Sequence, residues 1–194
     1  MKKNMIPGTI LVLIMAVLTY SCQRYESDRN FDVKNAEDGK TAKIVKYTGA
    51  NTEIRIPSSI LGQRITEIGE DAFTNKSITS VHFPKYIIKI EPFAFSGNSL
   101  SGVTIPKNMT QIDRGVFMDN KITAITIPDG VTKIGYRAFY MNPLTSITIG
   151  ENVELETLAS YRVFDLDFDD FYRANGRKAG TYTHNNDSWT LELK

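Results

Sequence analysis

Cysteine and histidine are scarce in this chain of 194 residues, which has one Cys and two His. A single thiol excludes an intramolecular disulfide, and so few thiols and imidazoles argue against a metal site built from them. An excess of one charge is also missing, because 23 Lys and Arg stand against 22 Asp and Glu. This balance gives no electrostatic basis for binding nucleic acid. The apolar fraction of 41% is that of a folded chain, and the length suits one domain with a small appendage.

No apolar run is long enough to cross a membrane. Two lysines near the start precede an apolar run from Ile10 to Leu18, which is shorter than the about 20 residues that a transmembrane helix needs. A basic start and a short apolar run are typical of a secretory signal. Cys22 follows directly after a serine, and this junction resembles the lipobox of bacterial lipoproteins. The resemblance implies that residues 1–21 are removed and that Cys22 carries a lipid anchor; an ordinary signal peptide is the alternative.

The middle of the chain is a repeat with a step of 22 residues. Each unit reads apolar-x-x-apolar-x-apolar-Pro, as in Ile122–Pro128. Alternation places Ile125 and Ile127 inward and Thr126 outward, which predicts one short strand per unit that the proline ends. The second half of each unit spaces its apolar residues for a bend and a short helical turn. Recurring at this step are Phe73, Phe95, Phe117 and Phe139; Ile68, Ile90, Ile112 and Ile134; and Pro84, Pro106 and Pro128.

Stacked units share one core, because a single unit cannot bury its own apolar face. The four repeated phenylalanines are therefore predicted to form a column. Asn98, Asn120 and Asn142 each follow a repeated phenylalanine by three residues. We expect these amides to be buried and to satisfy backbone groups of the turns; a role in ligand binding is the alternative.

The run from Ile125 to Ile147 resembles the BspA-type leucine-rich repeat, and the similarity extends over roughly Lys43 to Val153. The resemblance implies a leucine-rich repeat solenoid of the α/β horseshoe class that is strand-rich and right-handed. Members of this family are mostly secreted or surface-anchored bacterial proteins, and some are adhesins that bind host or partner proteins. The resemblance carries no catalytic residue, metal or cofactor to this chain.

The open ends of a solenoid need covering. A β-hairpin made of Ala42–Gly49 and Thr52–Ile56 is predicted as the N-terminal cap. An α+β cap is predicted at the other end, from a short helix and a final hairpin. Aromatic spacing indicates one helix face, formed by Phe164, Phe168, Phe171 and Tyr172. The predicted organisation is a lipoprotein signal peptide at 1–21, a polar tether at 22–40, the repeat domain at 41–153 and the capping module at 154–194.

An acidic cluster is the sharpest candidate for chemistry, and it consists of Asp165, Asp167, Asp169 and Asp170. An EF-hand loop that started at Asp165 would need glycine at its sixth position and an acid at its twelfth. The chain has Asp170 and Gly176 there, so the motif fails, although weak calcium binding stays open. We expect these acids on the solvent side of a helix start. A hydrolase that uses two of them is the least favoured function, and we predict that the protein is not an enzyme.

The outward positions of the predicted strands form the candidate binding face. Their side chains are small and weakly polar, and the candidate partner-binding residues are Ser80, His82, Thr104, Thr126, Ser146 and Thr148. Thr104, Thr126 and Thr148 should form a ladder, although threonine also suits any exposed strand. Charge is divided along the chain, since residues 41–150 hold 12 basic and 8 acidic groups (+4) and residues 151–194 hold 5 and 9 (−4).

These observations together predict an exported lipoprotein, anchored by lipid to the bacterial outer membrane or cell surface, whose repeats bind a protein partner or mediate adhesion. We expect a monomer that binds no nucleic acid. The alternative is a carbohydrate-binding component of a surface uptake system. A flat platform of exposed aromatic rings would favour it, with Tyr136, Tyr140, Tyr161 and Trp189 as candidates. The identity of the ligand, the face that binds it and the side of the membrane stay open.

Overall fold

The computed structural model describes residues 27–158, 161–165, 167–185 and 188–193. Within them the chain forms a strand-rich solenoid of about five turns with little helix. The leader, Cys22 and the start of the tether lie outside the described residues, so the predictions for them stay predictions. No helix in the described part of the chain has the length and apolarity that spanning a membrane requires.

One side of the solenoid carries parallel strands at the positions that the repeat predicts. These are β3 (Glu53–Arg55), β6 (Ser80–His82), β9 (Ala124–Thr126) and β11 (Ser146–Ile149). β3 pairs with β6, and β9 pairs with β11. The central residues of these strands are buried apolar side chains, and their neighbours point outward. We call the outward side of these strands, together with residues 102–105 between them, the strand face.

The opposite side is a second set of short parallel strands. Each of the later units starts its second half with a strand of two residues and then turns, where the sequence predicts a bend and a short helical turn. The strands are β2 (Ala42–Tyr47), β5 (Gln63–Ile68), β7 (Lys89–Ile90), β8 (Gln111–Ile112), β10 (Lys133–Ile134) and β12 (Glu154–Leu155). The first unit is five residues longer than the others, since Pro57 precedes Pro84 by 27 residues, and the extra segment folds back through β4 (Ser59–Ile60), which pairs antiparallel with β5.

The turns that follow these strands place two residues of each unit in the left-handed region of backbone conformation. The first set is Asp71, Phe93, Gly115 and Arg137, and the second is Asn75, Gly97, Asp119 and Met141. Both sets keep the step of 22 residues. Gly115 is required for a second reason, because a Cβ there would lie 2.2 Å from the ring of Phe93. The turns are thus built by backbone conformation, with no helical segment between residues 69 and 75.

The predicted phenylalanine column is confirmed. Phe73, Phe95, Phe117 and Phe139 are fully buried and stack with ring centroids 4.7, 5.9 and 5.6 Å apart. The column extends further than the repeat indicates, because rings outside the 22-residue register continue it at both ends. Tyr47 stacks on the first phenylalanine at 5.3 Å, and Phe164 stacks on the last at 5.2 Å.

The repeated asparagines are confirmed as buried amides that link successive turns. The side-chain oxygen of Asn120 accepts a hydrogen bond from the backbone N–H of Leu100 at 3.0 Å. Its amide nitrogen donates to the carbonyls of Phe95, Phe117 and Met118 at 3.0–3.2 Å. Asn98 and Asn142 make the same contacts one unit earlier and later. The ladder supplies partners to backbone groups that the turns would otherwise bury unpaired.

The predicted N-terminal hairpin is wrong. β2 pairs parallel with β5 as the first strand of the second side, and β3 pairs with β6 on the strand face. The antiparallel partner of β2 is β1 (Phe31–Asn35), within the segment predicted as a tether, and it follows a 3-10 turn at Asp28–Asn30. Buried Ala42, Ile44 and Tyr47 tie β2 to the core, which explains why it joins the solenoid instead of folding back on β3.

A helix and a hairpin follow the last turn, as the sequence predicts for this segment. The helix α1 (Phe168–Ala174) ends at Asn175, and Phe164 lies before it in the column and not on its face. β13 (Gly180–Asn185) pairs antiparallel with β11, and β14 (Ser188–Leu193) pairs antiparallel with β13. The ring of Phe168 joins helix and hairpin, with Tyr182 and Trp189 edge-on to it at 5.3 and 5.0 Å.

Candidate functional site

The candidate partner-binding residues separate into two groups on the strand face. Their exposure differs, since His82, Thr104 and Thr126 are exposed whereas Ser80, Ser146 and Thr148 are half-buried. Thr126 and Thr148 are register partners in the ladder of β9 and β11. The hairpin continues this ladder, because the hydroxyl of Thr148 lies 3.0 Å from that of Thr181 on β13. Thr104 lies outside it, so the threonine ladder has two of its three expected members paired.

Residues 102–105 interrupt the strand face. They occupy a strand position of the repeat, yet among the described residues no ladder pairing joins them to β6 or β9. Phe83 lies beside the break: it stands where the other units have isoleucine, and its ring meets Phe95 edge-on at 5.4 Å. The distance between ring centroids in the phenylalanine column is also largest beside the break, at 5.9 Å between Phe95 and Phe117.

A groove of about 460 Å³ lies along the break. Its ionisable side chains are His82, Lys85 and Lys107, all exposed, and no acid is found among the described residues that line it. The groove is therefore cationic, and unpaired backbone groups of residues 102–105 offer it hydrogen-bond donors and acceptors. The lining is formed by Ser80, Val81, His82, Phe83, Pro84 and Lys85 on one side and residues 102–107 on the other.

The candidate aromatic residues do not form a flat open platform. Trp189 is buried, with 7% of its surface exposed. The guanidinium of Arg137 lies 3.7 Å above the centre of the Tyr161 ring, so one face of that ring is covered. Tyr136 stacks against Tyr161 at 6.3 Å. These rings contact each other and arginine, whereas a sugar-binding platform needs open ring faces.

The acidic cluster of the C-terminal segment is not a row of solvent-facing acids. Asp169 is fully buried and accepts hydrogen bonds from the backbone N–H groups of Val163 and Phe164 at 2.7 and 3.1 Å. Burial raises the pKa of its carboxyl, although these two hydrogen bonds act in the opposite direction. Asp165 accepts from the backbone of Met141 at 2.7 Å. The prediction of a solvated helix start is wrong for Asp169, because its carboxylate satisfies backbone groups in front of the helix.

The other two acids of the cluster share Arg162, and Asp170 also pairs with Arg173 at 3.4 Å. Asp167 and Asp170 form ion pairs with Arg162 at 3.2 and 2.7 Å. The four carboxylates are thus used separately for backbone hydrogen bonds and ion pairs. Within the described residues they form no group that brings three ligand atoms together for a metal ion.

Three other carboxylates do converge, on the side of the solenoid opposite the strand face. Oxygens of Glu37, Glu67 and Glu91 lie within 4.8 Å of one another. Two lysines occupy the space between them, since Lys43 bonds Glu91 at 2.5 Å and Lys89 bonds Glu37 at 2.6 Å. This is an ionic network, because a metal ion would have to displace ammonium groups that already neutralise the acids.

The pKa values of the network agree with pairing. Burial would raise the pKa of Glu91, but hydrogen bonds from Lys43 and from the backbone of Glu70 outweigh it and hold the pKa below its ordinary value. Burial alone would lower the pKa of Lys43, but the hydrogen bond to Glu91 and the charges of Glu91 and Glu67 together outweigh burial and raise the pKa above its ordinary value. Both partners therefore stay charged across the neutral range. The network joins β2 and the loop after β1 to the neighbouring strands β5 and β7.

Sequence reasoning missed the groove and the aromatic–arginine contacts. The groove is lined in part by Phe83, which the sequence shows as the exception to isoleucine at this position of the repeat. The contact of Arg137 with Tyr161 had no such signal, because the 22-residue step is lost before Tyr161 and the position of that residue in the register cannot be counted. The ionic network was equally hidden, since Glu37 lies in a segment whose composition resembles a tether.

Comparison with known proteins agrees with this geometry. A family model described as the BspA type leucine rich repeat region matches residues 43–164 in 6 copies. The fold is similar to the crystal structure of a T. pallidum leucine-rich repeat protein, with a TM-score of 0.54 and 21% identity over 65% of this chain and 72% of that chain. It is also similar to a leucine-rich repeat protein from Bacteroides capillosus, with a TM-score of 0.53 and 27% identity over 61% of this chain and 92% of that chain. No curated protein matches the chain significantly.

The match to the family model spans well over half of the chain and coincides with the phenylalanine column and the asparagine ladder. The two structures support the same backbone arrangement. This protein belongs to the BspA-type leucine-rich repeat family.

Proposed function

We propose that the protein is a non-catalytic interaction scaffold that binds a partner protein through its strand face. The observation that carries the proposal is the open centre of that face, where His82, Thr104 and Thr126 are exposed around a cationic groove. Small side chains let a partner approach the strands closely, and Lys85 and Lys107 can draw an acidic surface to the groove. The two neighbouring sheets hold the groove on a rigid frame, which favours binding without rearrangement.

We further propose that the protein is exported and anchored by a lipid on Cys22 to the outer membrane or cell surface. On this proposal, the β1–β2 hairpin and the α1–β14 module act as caps of a right-handed solenoid. A surface anchor would restrict the scaffold to the membrane plane, where several copies gain strength by binding together. The exposed strand face and the recurrence of family members at bacterial surfaces support this arrangement.

Added negative charge on the strand face is expected to weaken capture of the partner. The variant H82E/T104E/T126E places three carboxylates at exposed positions, where they oppose an acidic partner and cost about 1–3 kcal/mol of binding, or about 5- to 150-fold in affinity. Binding is measured with the purified protein against host matrix proteins and surface proteins of the producing bacterium. The control is Q111E/T132E/K121E, three exposed positions away from the strand face. Equal loss in both variants, or no loss in the first, contradicts the proposal.

Replacement of the anchor residue is expected to release the protein from the membrane. Metabolic labelling of the producing cells with a palmitate analogue should mark the wild-type chain and leave Cys22→Ala unlabelled. A lipid on this residue would anchor stably because each buried methylene contributes about 0.8 kcal/mol. Label retained by Cys22→Ala would show that the lipid is attached to another residue, and it would contradict the proposed anchor.

A further inference from the structure

We propose that a strip of arginine and aromatic side chains beside the turns is a second binding surface, which takes a carboxylate from an acidic segment of a partner protein. The strip is distinct from the strand face and does not depend on the proposed function of that face. We call it the Arg–Tyr strip, and it consists of Phe93, Arg114, Tyr136, Arg137, Tyr140 and Tyr161.

The repeat itself brings these side chains together. Arg114 and Tyr136 occupy the same position in successive units, since they lie 22 residues apart. Phe93 and Arg137 occupy the first left-handed position, with φ of 58° for both. Gly115 has this position in the unit between them, and its missing side chain leaves room for the Phe93 ring. The turns therefore present a continuous row, and all six side chains of the strip are half-buried or exposed.

Arg137 is held in place by aromatic rings on two sides. Its guanidinium carbon lies 3.7 Å from the centre of the Tyr161 ring and 5.5 Å from that of Tyr140. Such contacts orient a cation without neutralising it. The strip thus contains a guanidinium whose position is fixed before any ligand arrives, and preorganisation of this kind lowers the entropic cost of binding.

The same guanidinium has hydrogen-bonding capacity left over. Its Nε is buried and has no hydrogen-bond partner, and no ion pair joins Arg137 to a carboxylate among the described residues. A buried donor without a partner carries a desolvation cost. A ligand reaches the terminal nitrogens of Arg137 and not its covered Nε, and a carboxylate suits them because its two oxygens match two parallel N–H donors of a guanidinium.

Arg114 has a different part in the strip. It donates to the hydroxyl of Tyr136 at 3.4 Å and lies 3.5 Å from a carboxylate oxygen of Glu70. The hydrogen bond to Tyr136 raises the pKa of Arg114. Tyr136 in turn stacks on Tyr161, the ring that carries Arg137. Arg114 is therefore a positioning residue that steadies the aromatic pair, whereas Arg137 supplies the open charge.

The chemistry of the strip favours a protein segment over a sugar. Tyrosine and arginine are enriched at the energetically dominant positions of protein interfaces, and tyrosine offers large contact area at low entropic cost. A sugar would need an open ring face, and Arg137 already covers one face of Tyr161. An acidic segment in which an apolar residue lies next to the acidic one would pair its carboxylate with the guanidinium and pack its apolar side chain against the rings.

The test uses the purified full chain and a fluorescein-labelled peptide of alternating glutamate and leucine, with a glutamine–leucine peptide as the uncharged comparison. The wild type is expected to bind the glutamate peptide with a dissociation constant below about 1 mM and the glutamine peptide about tenfold more weakly. Arg137→Gln should lose about tenfold in affinity, and Arg137→Lys should lose nearly as much because lysine cannot bind both oxygens in a fork.

The matched control is Arg177→Gln, which removes another arginine from a left-handed position, with φ of 54°. Arg177 is exposed, whereas Arg137 is half-buried. The control is expected to bind like the wild type, and so is H82E/T104E/T126E, which separates this surface from the strand face. Unchanged melting temperature of Arg137→Lys shows that any loss is not a folding defect. Equal affinity for both peptides, or for wild type and Arg137→Gln, overturns the proposal. Tighter binding of heparin that Arg137→Gln abolishes would instead assign the strip to an anionic glycan and overturn the choice of a protein ligand.

Discussion

Truncation of Phe117 to alanine is expected to lower the free energy of unfolding by about 3–5 kcal/mol. Phe117 is fully buried in the middle of the column, with Phe95 stacked on one side at 5.9 Å and Phe139 on the other at 5.6 Å. Its removal takes away the transfer energy of the ring and leaves a cavity between two turns. The backbone cannot fully collapse into that cavity, because hydrogen bonds between successive turns, from the N–H of Phe95 to Val116 and from the N–H of Phe117 to Ala138, hold the units at their spacing.

Chemical denaturation followed by two probes, tryptophan fluorescence and circular dichroism, measures this loss. Solenoids couple each unit to its neighbours only, so the two probes also show whether the variant separates into independently unfolding halves. Phe117→Leu keeps most of the volume and should lose about 1–2 kcal/mol. Phe171→Ala is the control, since Phe171 is half-buried and lies outside the column. A loss below about 1 kcal/mol for Phe117→Ala would show that the column does not hold the turns together.

The sequence predicts the column and the asparagine ladder well because both follow from one fixed step. A side chain that recurs every 22 residues in a stacked fold must meet its own copy in the next unit, whatever the local backbone does. This argument needs no knowledge of the turns, which in fact contain two left-handed residues per unit that hydrophobic spacing does not reveal. The same argument fails where the step is lost, so Tyr47 and Phe164 were not recognised as members of the column.

The polar average composition of the N-terminal segment does not reveal the strand β1. Residues 22–40 are polar overall, and β1 hides there because only Phe31 and Val33 are clear hydrophobes. A local signal was present, since Asp38-Gly39 is a dipeptide typical of tight hairpin turns. In the structure Gly39 has φ of 66°, and the side chain of Asp38 accepts hydrogen bonds from the backbone of Lys40 and Thr41. Turn chemistry was thus a better guide than average polarity.

The candidate site could be predicted in outline only. Alternation identifies which residues point outward on the strand face, but not whether neighbouring strands pair. The break at residues 102–105 lies beside Phe83, whose ring meets Phe95, and a pattern of apolar positions treats phenylalanine and isoleucine alike. Contacts such as that of Arg137 with Tyr161 join a regular unit to a segment in which the 22-residue step is lost, so they require the three-dimensional path of the chain.

Replacement of Asn120 by aspartate is expected to destabilise the protein by about 3–5 kcal/mol at pH 7. The amide nitrogen of Asn120 donates to three carbonyl oxygens, those of Phe95, Phe117 and Met118. A carboxylate has no hydrogen to donate, so its second oxygen would face these carbonyls as a buried negative charge. The contact with the N–H of Leu100 would survive, because that group needs only an acceptor.

The destabilisation should be partly reversed by acid. Burial and facing carbonyls raise the folded-state pKa of the new carboxyl above its value in the unfolded chain, about 3.9. For an acid with a raised folded pKa, the folded state binds the proton more tightly, so stability is regained as pH falls through the folded pKa and is fully regained below the unfolded one. The protonated acid has one O–H to donate to a carbonyl and one oxygen to accept from Leu100. The deficit relative to the wild type should therefore shrink between pH 7 and about pH 4.

Thermal and urea unfolding at several pH values measure that difference, always against the wild type at the same pH. The matched control is Asn108→Asp, since Asn108 is exposed and its amide donates to a single carbonyl, that of Lys85, at 2.7 Å. Its loss should stay below about 1 kcal/mol and depend little on pH. If Asn120→Asp matched this control, the buried amide would not be what joins successive turns. A large deficit that acid fails to reduce would mean that shape, and not the missing donor, sets the requirement for asparagine at this position.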